Sequence, residues 1–271
     1  MGYFTGIDVS KEKFDIGWLR DAASGKKKTK VFKNTPGGHQ QAAQWLLKNL
    51  MAPAEEIVVA LVPTGVYHEA LLYFLHECGF QVVLVNSGKA KKYAESIDQV
   101  HKTDKLDAMM LAYYAYAQRH KLSLWQPEPV EVRELKVMIR RLDALEKDLQ
   151  REKNRQEATQ VSLSSQKVVQ SLTSMIATLE AEIKRLQQDI DDHIDRFPEL
   201  KQNRQLLESI KGIGPVMSRE LVYLFAAKTF HSARQVAAYL GLIPKLKESG
   251  KLKGRTMLSK CGSARIRAKL Y

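Results

Sequence analysis

Residues 57–62 read Ile57-Val58-Val59-Ala60-Leu61-Val62, an uninterrupted apolar run with helical patterns on both sides, over 37–50 before it and 67–78 after it. Gln81-Val82-Val83-Leu84-Val85-Asn86 then repeats the strand signal. Strands that alternate with helices predict an α/β layer whose sheet is at least partly parallel. Further back, residues 3–10 and 14–20 make two more strands around a polar break that suits a hairpin, and a third strand includes 30–33. Ligands in such a layer gather at the strand ends.

Acidic residues occupy the places where such a site would form. Asp8 lies in the strand Gly6-Ile7-Asp8-Val9-Ser10, where a carboxylate among apolar neighbours is costly unless a metal or hydrogen bonds meet it. Asp104 and Asp107, in Lys102-Thr103-Asp104-Lys105-Leu106-Asp107, are three apart and share one face of the helix that 109–117 continues. Thr103 suits the N-cap, so both acids can also serve as first-turn partners of the helix dipole. Three carboxylates brought to one point from separate elements make a site for a divalent metal.

Between Pro129 and Pro198 there is neither glycine nor proline. Leu135, Leu142, Leu145 and Leu149, then Leu172, Ile176, Leu179, Ile183, Leu186 and Ile190, recur at heptad spacing. This predicts a long helical hairpin or coiled coil, broken near 162–165 where serines weaken helix propensity. After Pro198 the composition changes, and Lys211-Gly212-Ile213-Gly214-Pro215 resembles the turn of a helix-hairpin-helix, whose backbone amides receive a phosphate. A tight helix–helix connection needs the same glycines.

Charge points to a polyanionic partner. The chain of 271 residues is 44% hydrophobic, enough for a folded core, and carries a formal charge of +13. Residues 241–271 hold nine Lys or Arg against the single acid Glu248, whereas 131–200 hold twelve against fourteen acids. The helical middle therefore solvates itself, and the basic tail is the expected contact surface, through Lys245, Lys247, Lys251, Lys253, Arg255, Lys260, Arg265 and Arg267, with Lys211, Gly212 and Gly214 at the turn. No apolar run approaches the ~18 residues of a spanning helix, which disfavours a membrane. No signal peptide is visible, and Cys78 and Cys261 lack metal-ligand spacing, which fits a reduced cytoplasmic setting.

The tail also holds Glu248-Ser249-Gly250 among lysines and arginines. Cations lower the cost of an alkoxide, so Ser249 is a candidate nucleophile toward phosphorus. A serine in a basic, glycine-rich loop equally serves to contact phosphate.

Several of these segments occur in one order: Gly6-Ile7-Asp8-Val9-Ser10-Lys11, Pro63-Thr64-Gly65-Val66-Tyr67-His68, Lys102 to Ala108, the Gly212-Ile213-Gly214-Pro215 turn, and Gly241-Leu242-Ile243-Pro244 leading to Ser249-Gly250 and Leu258-Ser259-Lys260. Across nearly the whole chain they resemble the DEDD-type transposases of the insertion-sequence family numbered one hundred and ten, related to the Piv DNA invertases. The resemblance implies a RuvC-like, ribonuclease-H-like α/β domain over 1–125, a coiled-coil arm over 126–200, and a mainly α C-terminal transposase domain over 201–271. It further implies Mg²⁺ on Asp8, Asp104 and Asp107, and Ser249 as the nucleophile that links transiently to DNA. A structured bridge RNA that pairs with donor and target DNA would delegate sequence choice to base pairing. The catalytic site would be shared between domains of a homo-oligomer, a dimer or tetramer.

Two departures qualify the resemblance. The family's second acid falls where this chain has Val62, which cannot ligate a metal, leaving Glu69 on the next helix or an acid of another subunit as substitutes. The sequence also stops at Tyr271, inside the basic helix expected over 263–269, whereas the family usually runs on. The alternatives to an active recombinase are therefore a catalytically silent nucleic-acid-binding remnant and a RuvC-like nuclease that uses only the acidic domain.

Overall fold

The computed structural model describes residues 3–21, 26–98, 101, 103–161, 165–245, 248–249, 252–254 and 256–270. The chain divides into two compact units, residues 1–127 and 128–271.

The first unit is built on a five-stranded mixed sheet. Strands β1 (Tyr3–Val9), β2 (Lys13–Asp21) and β3 (Lys26–Lys33) form an antiparallel meander, followed by α1 (Pro36–Leu50), β4 (Ile57–Leu61), α2 (Glu69–Glu77), β5 (Gln81–Leu84), α3 (Ser87–Ser96) and α4 (Asp104–Ala117). The strand order is β3-β2-β1-β4-β5, with β1, β4 and β5 parallel. The strand expected to include 30–33 runs over Lys26–Lys33. The one expected over 81–86 ends at Leu84, because Asn86 turns to cap α3, its side chain accepting from the amides of Gly88 and Lys89. Helix α3 has too few apolar residues to announce itself by periodicity.

Side-chain alternation splits the sheet into two faces. Ile7, Phe14, Ile16, Ile57, Val59 and Leu61 pack with residues of α1 and α2 in one core. Val58, Ala60 and Val83 pack on the other face with Met110, Leu111 and Ala115 of α4. Burial of this kind contributes roughly 1.5–3 kcal/mol per large aliphatic side chain, and it fixes the register, since a one-residue slip would turn each core residue outward.

The second unit is mainly helical. Helices α5 (Val130–Val161) and α6 (Gln166–Arg196) form an antiparallel hairpin: Glu134 lies beside His193, Lys153 pairs with Glu180 at 2.7 Å, and Gln156 meets Thr173. Leu135, Leu142, Leu145, Ile183, Leu186 and Ile190 of the heptad stripe are buried in the seam, together with Leu207, Leu221 and Leu240 from the helices C-terminal to it, so hairpin and C-terminal helices share one core. These helices are α7 (Pro198–Glu208), α8 (Pro215–Ala227) and α9 (Ala233–Leu240), then come the two-residue strands β6 (Pro244–Lys245), β7 (Glu248–Ser249), β8 (Leu252–Lys253) and β9 (Met257–Leu258), and α10 (Ala264–Lys269). Strand β6 pairs with β9, and β7 with β8. Among the described residues no helix is long and apolar enough to cross a membrane.

Candidate active site

Helix α4 lies directly on the backbone of β1. A Cβ on Gly6 would come within 2.1 Å of the Ala108 carbonyl oxygen and 2.5 Å of the Ala112 nitrogen, and one on Gly17 would meet Met109 Sδ at 2.6 Å. Glycine at these paired positions is what permits the approach. Two residues further along β1, Asp8 falls on this same face. The antiparallel register sets Asp15 opposite it, and Asp15 is 1% exposed.

The first turn of α4 supplies two more acids. Thr103 caps the helix, its hydroxyl accepting from the Leu106 amide, so Asp104 and Asp107 both lie at the positive end of the helix dipole. Lys13, at the start of β2, joins the two elements: its Nζ is 2.8 Å from Asp104 Oδ2 and 3.4 Å from Asp15 Oδ2. The hydrogen bond from Lys13 holds the Asp104 carboxyl below the usual carboxylate range, and the same bond, with the Asp15 charge behind it, raises the Lys13 pKa. Asp104 and Lys13 are both exposed, so water screens this pairing.

Val62 follows β4 directly. Since Ile7 pairs with Leu61, it stands beside Asp8, and it packs on the α4 face against the cluster of Met110 and Leu111. The position next to Asp8 is therefore filled by an aliphatic group. Glu69 opens α2, whose Leu71, Leu72 and Leu75 are buried in the core on the opposite face, so the fold gives no support to its substituting for an acid at 62.

A hydrogen-bonded anchor holds the loops at this end of the sheet. Asn34 donates through Nδ2 to the carbonyls of Ser10, at 3.0 Å, and Tyr67, at 2.9 Å, and its Oδ1 accepts from His39 Nε2 at 2.8 Å. It thereby ties the turn after Asp8 to the segment Pro63-Thr64-Gly65-Val66-Tyr67-His68. His39 lies between Phe14 and Phe74 and is 3% exposed; burial pushes its pKa down.

Of the acids expected to act together, Asp8 lies on the face of β1 that α4 covers and Asp104 and Asp107 lie in the first turn of α4; their oxygen donors have the chemistry of a hard divalent cation. Lys13 already places a positive charge between two carboxylates there. The spacing does not close around an ion, however: among the described residues no three side chains of His, Cys, Asp or Glu come together as metal ligands. Sequence reading passed over Lys13 and Asp15. Folding the hairpin about residues 10–13 pairs position 8 with 15, and that register was the available signal.

In the second unit, Lys211, Gly212 and Gly214 form the exposed turn between α7 and α8. Gly212 has φ 97°, a left-handed conformation that favours glycine, and Gly214 N-caps α8 ahead of Pro215. Ser249 lies in β7, paired with Leu252; its backbone alone is described, as is that of Lys253. Lys247, Lys251 and Arg255 lie outside the described residues, as does Lys102 of the acidic segment. Lys245 and Lys260 are exposed. Arg265 instead bonds the buried Glu220, Nη1 to Oε1 at 2.7 Å, and Arg267 donates to the carbonyls of Leu240 and Gly262. Lys269 reaches Glu220 at 3.0 Å. These three cations hold α10 within the fold.

Comparison with known proteins gives concordant matches over both units. A transposase family model of the DEDD, IS110 type matches residues 5–163, and the model of the transposase IS116/IS110/IS902 family matches 204–271. The pilin gene-inverting proteins of Moraxella bovis and Moraxella lacunata are each 26% identical over 272 aligned residues, covering 99% of this chain and 80% of the relative. A probable family 20 transposase of Pseudomonas aeruginosa is 31% identical over 104 residues, 38% of this chain and 30% of that protein.

Proposed function

The chain belongs to the IS110 family of transposases, and on that premise we propose that it is a DNA recombinase that mobilises or inverts a DNA segment, with Asp8, Asp104 and Asp107 on one catalytic face and Ser249 as nucleophile. The observation that carries this reading is the Lys13 ammonium held between Asp15 of β2 and Asp104 of α4, with Asp8 of β1 opposite Asp15 in the hairpin register.

The first unit is read as a RuvC-like, ribonuclease-H-like domain, in support of which stand the order β3-β2-β1-β4-β5 and the acids at the ends of β1 and α4. Residues 126–200 serve as the coiled-coil arm, and 201–271 as the transposase domain with its helix-hairpin-helix-like turn. The active form is a homo-oligomer, and a structured RNA selects donor and target DNA by base pairing.

Ser249 Oγ attacks the scissile phosphorus. A phosphoserine ester forms as the bond from phosphorus to one DNA oxygen breaks, and that oxygen leaves as a hydroxyl, taking up a proton. A DNA hydroxyl then attacks the phosphoserine and returns the serine hydroxyl. Lysines of the tail and the amides of the Gly212–Gly214 turn hold the phosphates in register. A Mg²⁺ on Asp8, Asp104 and Asp107 would neutralise charge building on the phosphate.

The observed packing of Val62 favours a second reading, a protein of the same fold that binds nucleic acid without completing recombination. An inversion and excision assay in cells, with the element and its flanking noncoding DNA, separates the two. Rearranged DNA lost with Asp104→Asn and with Ser249→Ala supports the recombinase; no rearrangement by the unaltered protein, with DNA binding intact, supports the silent binder.

A further inference from the structure

We propose that the outer edge of the first unit's sheet, β3 with the adjoining face of α1, is a second nucleic-acid surface that tracks the phosphodiester backbone of a strand. Residues 22–54 contain six lysines and no acid, so this segment alone contributes +6 to the chain's formal charge. Five of the six fall in Lys26-Lys27-Lys28-Thr29-Lys30-Val31-Phe32-Lys33, the sequence of β3. That strand is the last of the sheet and pairs on one side only, with β2.

The register shows how the charge is arranged. Lys28 and Lys30 oppose Trp18 and Ile16 and so belong to the α1 face, whereas Lys27 and Lys33 oppose Leu19 and Lys13 and belong to the α4 face. Lys28 and Lys30, two residues apart on one face, are spaced by about 6.7 Å, close to the step between neighbouring phosphates of an extended strand. On the α1 side an open cleft is lined by Lys30, Gln41, Gln44, Trp45 and Lys48. Lys28 sits over the Trp45 ring, 5.8 Å from its centroid, and bonds Asn49. Cations beside a half-exposed aromatic ring and amide side chains are the composition of a groove for single strands.

Lysines on an edge strand also guard against edge-to-edge pairing. Guarding needs one or two charges, and it explains neither the continuation onto α1 nor the lack of neutralising acids. On the α5–α6 hairpin, Lys147, Arg151, Arg155 and Arg185 each pair with an acid three or four residues away. Among the described residues Lys27, Lys28, Lys30, Lys33 and Lys48 have no such carboxylate, leaving a positive field open to an external anion. The edge also leads to the acidic face, because Lys33 pairs in register with Lys13, whose ammonium contacts Asp104. Only this last point, the direction in which the strand is delivered, rests on the proposed function.

The test is fluorescence anisotropy on the full chain with a labelled mixed-sequence single-stranded DNA, a structured RNA of equal length and a DNA duplex, over a salt series. The fourfold Lys27→Gln/Lys28→Gln/Lys30→Gln/Lys33→Gln variant is expected to bind a single strand at least tenfold more weakly, with the slope of log K against log salt reduced by about 3. The corresponding arginine variant keeps the affinity, and because the readout is binding and not strand transfer, a failed catalytic reading does not affect the result. Unchanged affinity and slope in the glutamine variant overturn the proposal, as does a loss confined to the duplex. Should the glutamine variant aggregate, photo-crosslinking of the unaltered protein to 4-thiouridine RNA decides: adducts in peptides spanning 27–48 support the surface, and adducts elsewhere only refute it.

Discussion

Lys13 Nζ lies 2.8 Å from Asp104 Oδ2, which ties the start of β2 to the first residue of α4 across the mouth of the acidic face. The sense of both pKa shifts defines when this tie holds. Asp104 is lowered, so its contribution is present above the unfolded value of about 3.9 and is lost as pH falls through the folded value. Lys13 is raised, so its contribution is present below about 10.4 and is lost as pH rises through the folded value. The pair is therefore intact throughout the neutral range. If its ammonium holds the place a metal would take, Lys13→Met increases Mn²⁺ affinity, by up to about fivefold for an exposed pair of this kind. Isothermal titration checks it, and an unchanged isotherm would show that cation and metal do not compete.

His39 predicts a pH dependence of stability. Burial lowers its folded pKa, so the unfolded chain takes up a proton first as pH falls below about 6.5. Stability is full above that pH and declines as pH falls toward the folded value. The groups facing the ring are Asn34, Phe14 and Phe74, none of which titrates in this range. His39→Gln, which keeps an amide near Nε2, should flatten the melting temperature between pH 5 and 7 relative to the unaltered protein. A parallel decline in both would assign the effect to other histidines.

Gly6→Ala should loosen α4. The new methyl would overlap the Ala108 carbonyl at 2.1 Å, and backbone cannot rotate away as a side chain can. Overpacking at such a contact costs about 1–3 kcal/mol. Urea denaturation measures it, and an undiminished midpoint would mean that β1 and α4 separate freely.

Val62→Glu places a carboxylate beside Asp8, at a position that now packs against Met110 and Leu111. Without metal the variant should be less stable, since a half-buried charge loses hydration. With excess Mn²⁺ its melting temperature should rise more than that of the unaltered protein, because only the folded state offers the completed donor set. Equal shifts in both proteins would contradict the placement of this position in a metal site.

Much of the first unit is legible in sequence because its signals are local. The run Ile57 to Leu61 is β4, and Gly6-Ile7-Asp8-Val9 is a strand that carries its acid on the face α4 covers. The glycine- and proline-free stretch after Pro129 becomes the α5–α6 hairpin for the same reason, heptad spacing of leucine and isoleucine. The features that escaped depend on pairing between distant positions. Asp15 reads as one acid in an alternating strand until the hairpin register sets it opposite Asp8. Arg265 and Arg267 look free in a basic tail, but Glu220 takes the first and backbone carbonyls take the second. The lysines of β3 were obscured by the larger charge excess of the tail, and β6 to β9 are two residues each, too short for any periodicity.

The central claim is that the acidic face and Ser249 act together on a DNA phosphodiester. The direct measurement is a denaturing gel after incubating the protein with Mg²⁺, an element-end DNA carrying a suicide nick, and RNA from the flanking noncoding region. The account predicts a covalent protein–DNA adduct that disappears with Ser249→Ala and with Asp104→Asn. An adduct that persists in Ser249→Ala would contradict it.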